Sequence, residues 1–71
     1  MKGTVTKVVR DENGIRSAVI AKIDPPPAEE VTLAEIPLWA YEDLRAALCG
    51  DKPVTVVTDP VDGHVVSVKI G

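Results

Sequence analysis

The chain has 71 residues, the length of one domain, and a domain this short buries only about 60% of its unfolded surface. With 45% hydrophobic and 27% charged residues it is too apolar for a disordered segment. Its single Cys excludes an internal disulfide, and its net charge of −3 argues against a general nucleic-acid binder, because neutralising phosphates takes Lys and Arg.

The first strand is expected over residues 2–10, KGTVTKVVR. Val5 and Val9 share one face and Val8 falls on the other, so the alternation is imperfect and leaves room for a bulge. Asn13-Gly14 is a strong hairpin signal, because a type I′ turn needs positive φ at both central residues. A second strand follows over residues 15–24. Ile15, Ser17, Val19, Ala21 and Ile23 form one face, and Arg16, Ala18, Ile20, Lys22 and Asp24 the other. The uncharged face is expected inside, which leaves Val8 and Ile20 as an outward apolar patch.

Pro25-Pro26-Pro27 cannot donate ladder hydrogen bonds, and it reads as a stiff connector between two strands. Residues 29–36 give a third strand with Val31 and Leu33 inward. Residues 37–49 read as a helix, with Pro37 at its first position and Gly50 as its stop. Glu42 and Asp43 precede Arg45, the order favoured by the helix dipole. Pro37, Ala40, Tyr41, Leu44, Ala47 and Leu48 fall on one arc, an amphipathic stripe. Trp39 falls on the other side with Glu42, Asp43 and Ala46. Residues 54–58 make a fourth strand and Asp59 to Gly63 a turn. Residues 64–70 make the last strand, with His64, Val66, Val68 and Ile70 on one face.

The order is β-β-β-α-β-β, expected as a single α+β or mainly β domain over residues 1–71. That order fits a small five-stranded, OB-like barrel with the helix capping one end. The OB label rests on element order alone; an open sheet with the helix on one face, or an SH3-like barrel, fits almost as well.

Charge is uneven along the chain. Lys2, Lys7, Arg10, Arg16 and Lys22 outnumber the three acids of residues 1–24, whereas residues 25–71 carry eight acids against Arg45, Lys52 and Lys69. No cationic start followed by an apolar run marks a signal peptide, and no apolar stretch approaches the roughly 20 residues that span a bilayer. A cytoplasmic, reducing location without membrane contact is the expectation.

No catalytic set stands out. The adjacent acids Asp11-Glu12, Glu29-Glu30 and Glu42-Asp43 point apart in regular structure. Cys49 lies in the last helical turn, where the partial negative charge does not stabilise a thiolate, and it is expected buried or half-buried. With one His and one Cys, a metal site is not expected, and Asp59 and Asp62 read as turn residues too sparse for a calcium loop. His64 reads as structural. No cofactor is expected.

The leading expectation is therefore a non-enzymatic protein-interaction module or accessory subunit, binding another chain or itself. It would present Trp39 with Glu42 and Asp43, or the Val8 and Ile20 face. The alternative is weak single-stranded nucleic-acid binding by Lys7, Arg10, Arg16 and Lys22 on the first hairpin, although the strands carry no aromatic on which a base could stack.

Overall fold

The computed structural model describes residues 1–71. It contains β1 (Lys2–Arg10), β2 (Arg16–Asp24), β3 (Glu29–Leu33), α1 (Leu38–Cys49), β4 (Pro53–Thr58) and β5 (Val65–Ile70). The element order is the one read from the sequence. All five strands form one antiparallel sheet in the order β3-β2-β1-β4-β5.

β3 and β5 are the two edges of this sheet and do not pair, so the sheet is not closed into a barrel. The core is sealed another way. α1 packs against β1, β2, β4 and β5, and places Ala40, Leu44 and Ala47 over Val5, Ala18, Ile20, Val54, Val56 and Val65. The molecule measures 33 × 31 × 18 Å. The edges carry their own protection against further pairing: β3 has only five residues and opens on Glu29 and Glu30, and β5 carries Lys69.

Two bulges decide which valines reach the core. In β1, Val5 pairs with Ile20 and Lys7 with Val19, so Thr6 is the extra residue. The bulge puts Val5 and Val8 on the same, inward side and turns Val9 outward, correcting the expected pairing of Val5 with Val9. In β5, Val57 pairs with Ser67 and Thr58 with Val65, so Val66 is the extra residue. Val65 and Val68 both face the core as a result, and Val66 is exposed. Strict alternation had put Val65 and Val68 on opposite faces.

The inward face of β2 is also the reverse of the expected one. Ala18 and Ile20 are buried, and Ile15 and Ile23 are exposed. The charged residues that made this face look external stand towards the strand's ends. Arg16 Nε donates to the Ile36 carbonyl at 3.2 Å, and Lys22 Nζ pairs with Glu29 at 3.0 Å. Long basic side chains lay their stems over apolar surface and carry the charge out to a partner. Only the two middle residues of the face have to be apolar.

The helix starts one residue later than expected, at Leu38, and ends as expected at Cys49 with Gly50 as its C-cap. Pro37 is the N-cap, with φ −69° and ψ 162°, and it offers no side-chain acceptor. The first turn has no acid and the last turn no base. At the other end Gly50 stays right-handed, and Asp51 takes the left-handed conformation at φ 52°. Lys52 N–H donates to Ala47 O at 2.9 Å and Asp51 N–H to Leu48 O at 3.2 Å, the two bonds of a Schellman stop. No helix is long and apolar enough to cross a membrane.

Candidate functional site

The exposed stretch Leu38-Trp39 follows directly from the helix geometry. Ala40, Leu44 and Ala47 recur at the spacing of one face and are buried; Tyr41 and Leu48 flank them half-buried. Trp39 is one position away from that stripe, so its indole is carried off the core, and it is 45% exposed. Leu38 is 53% exposed beside it. Two large apolar side chains thus stand together in the first turn of α1. Glu42 is exposed and Asp43 half-buried on the next turn.

The segment before the helix adds a concavity. Ile36 N–H donates to Arg16 O at 3.0 Å, and Arg16 Nε donates back to Ile36 O at 3.2 Å. This reciprocal pair ties the β3–α1 connection to the start of β2. A solvent-open cavity of about 280 Å³ lies there, lined by Gly14, Ile15, Arg16, Glu35 and Ile36. Glu35 holds a left-handed φ of 53°, uncommon for a residue with a β-carbon. Ile15 is exposed at the cavity, and Ile36 lies two residues before Leu38.

The second expected patch does not form. Ile20 is completely buried and Val8 packs against the core, so neither is an outward apolar surface. The bulge at Thr6 and the reversed face of β2 are the reasons.

The basic residues of the first hairpin do not line up as one track. Arg10 pairs with Arg16, and Val8 with Ala18, which puts the two arginines on the core-side face of the strands. Lys7 pairs with Val19 on the opposite face. Lys22 is engaged by Glu29 and Arg16 by Ile36 O.

Cys49 is exposed at the end of α1, contrary to the expectation of burial. It is the last helical residue, two positions beyond Ala47 of the buried stripe. His64 is exposed in the β4–β5 turn, and its Nδ1 contacts Asp62 Oδ1. Asp62 and His64, expected to act separately as a turn residue and a structural histidine, therefore meet in one turn. No buried residue is polar or charged.

Comparison of the chain with protein-family models, with curated proteins and with solved structures finds no match in any of the three.

Proposed function

We propose that this chain is a protein-interaction module or accessory subunit, without catalytic activity, that engages another chain or a second copy of itself through the start of α1. The observation that carries the reading is the paired exposure of Leu38 and Trp39 in one helical turn. Trp is enriched among the few residues that dominate binding energy at interfaces, where it fills a pocket and is shielded from water. A cavity lined by Ile36, two residues before Leu38 in the chain, offers a recess with Arg16 and Glu35 as its charged groups. Glu42 and Asp43 place negative charge on the following turn, suited to a basic rim on the partner.

The test is affinity capture with the wild-type chain and with a Trp39→Ala variant whose fold is verified by circular dichroism. Capture that is lost in the variant supports the reading; equal capture by both removes Trp39 from it.

Nucleic-acid binding is the weaker reading, since Lys7 lies on the opposite face from Arg10 and Arg16, and Lys22 is paired with an acid. Titration with single-stranded oligonucleotides at low salt decides between the two, because phosphate contacts must show steep salt dependence.

A further inference from the structure

The turn between β4 and β5 reads Asp59-Pro60-Val61-Asp62-Gly63-His64. Both acids have turn roles. Val61 N–H donates to Asp59 Oδ1 at 2.7 Å, and His64 N–H donates to Asp62 Oδ1 at 3.3 Å. Each of these bonds uses only one carboxylate oxygen, so each acid keeps ligand capacity. The hairpin end then brings the side chains together. Asp59 N–H donates to His64 O at 2.9 Å, and Gly63 N–H donates to Asp59 O at 2.8 Å, which makes Asp59 and His64 neighbours across the turn. Gly63 takes φ 77°, a value that lets the chain reverse here without strain. One ligand atom from each of Asp59, Asp62 and His64 lies within 4.8 Å of the other two.

We infer that Asp59, Asp62 and His64 form a surface site for a divalent transition-metal ion of the zinc, cobalt or nickel type. Three ligands around such an ion, each at about 2.0–2.2 Å, stand roughly 3–3.5 Å from one another. Asp62 and His64 are exposed and Asp59 is half-buried, so rotations of the two exposed side chains supply most of the approach. Two carboxylates match the ion's charge of +2, and the ion sits between His64 Nδ1 and Asp62 Oδ1, which already contact each other. Imidazole nitrogen selects a transition ion over calcium or magnesium, which require six or more oxygens, and water completes the coordination. The bound ion joins the end of β4 to the start of β5 and clips an edge hairpin. The metal site is independent of the interaction surface at Leu38 and Trp39.

The test is titration of the tag-free chain with cobalt and zinc chloride, read by calorimetry, by the visible spectrum of bound cobalt and by thermal melting. The expected result is saturable binding of one ion per chain, cobalt absorption that shows mixed nitrogen and oxygen ligation, and a raised melting midpoint that a chelator reverses. His64→Ala and Asp59→Asn each weaken binding by about tenfold or more, and magnesium and calcium give no saturable signal. All three side chains are at least partly exposed, so the variants are expected to fold, and circular dichroism verifies this. Absence of saturable cobalt or zinc binding overturns the inference. So does binding that neither substitution weakens, which would place the ion elsewhere.

Discussion

A β-carbon on Gly3 would lie 2.3 Å from the carbonyl oxygen of Ala21 and 2.9 Å from Cγ2 of Ile20. Gly3 is buried in β1, the central strand, and pairs with Lys22 on one side and Val54 on the other. The obstructing oxygen belongs to backbone, so relief requires β1 and β2 to separate. Gly3→Ala is therefore expected to cost about 3 kcal/mol, the upper part of the range for overpacking. Chemical denaturation checks it; a loss below about 0.5 kcal/mol would mean that the strands are not packed this closely.

Leu44 is completely buried where α1 crosses the sheet. Leu44→Ala is expected to cost about 3–5 kcal/mol through lost transfer energy and the cavity left behind. A domain of this size has roughly 4–11 kcal/mol in total, so the variant should be close to its unfolding threshold. Equilibrium urea denaturation measures the loss, and an unchanged midpoint would contradict the placement of the helix over the core.

Asp51 carries a left-handed backbone at φ 52° in the Schellman stop of α1, the position that Gly usually fills. Its side chain makes no hydrogen bond that Gly would lose. Asp51→Gly is expected to stabilise the fold by about 0.5 kcal/mol, the relief of left-handed strain being partly offset by the greater freedom of Gly when unfolded. The gain should appear as a rise of a few degrees in the thermal midpoint. A lowered midpoint would show that Asp51 holds the helix end in another way.

The Asp62 carboxyl is held below the ordinary aspartate range, chiefly by the His64 backbone N–H, with the His64 side chain adding to the effect. A carboxyl depressed in the folded state stabilises above its unfolded pKa. That contribution fades as pH falls through the folded value. Because Asp62 is exposed, the expected effect on stability is small, and NMR titration of its side-chain carbon is the suitable reading. The midpoint should lie below that of an aspartate in an unstructured peptide, and in His64→Gly, which keeps the backbone donor, it should rise only partway towards that value. A midpoint at the ordinary value would contradict the geometry of the turn.

Element order and helix face were legible in the sequence because each rests on strong local signals. Asn13-Gly14 marks the first hairpin, although only Gly14 takes positive φ and the turn, closed by Gly14 N–H to Asp11 O, is not type I′. The Pro37 and Gly50 pair marks the helix ends, and the spacing of Ala40, Leu44 and Ala47 marks the buried arc. Strand faces were less legible. The broken alternation of Val5, Val8 and Val9 signalled a bulge in β1 but not its position, and no broken alternation signalled the one at Val66; one extra residue reverses everything beyond it. The spacing of Val5 and Val8, repeated by Val65 and Val68, is the signal that could have been used. In β2 the charges of Arg16 and Lys22 outweighed Ile20 in the reading, although both were free to reach partners at the sheet's margin. Closure was not legible at all, because element order does not state whether β3 and β5 meet. For the site, the helical wheel placed Trp39 off the buried arc, but whether its indole is exposed was not legible, because a Trp at a helix start can equally fold back over the core. The cavity brings together Arg16 and Ile36, 20 positions apart in the chain, which no local pattern encodes.

Trp39 is the only indole of the chain, so one label reports on the proposed interface without interference. The most direct measurement is fluorine NMR of the chain carrying fluorotryptophan at position 39, titrated with the protein captured by the wild-type chain, whether a foreign chain or a second copy. The account predicts that the Trp39 resonance shifts and loses its solvent exposure at saturation, and that Trp39→Ala weakens binding by about thirtyfold, the loss typical of a hot-spot residue. A resonance that stays solvent-exposed and unshifted at saturation, with Trp39→Ala binding as tightly as the wild type, would contradict it.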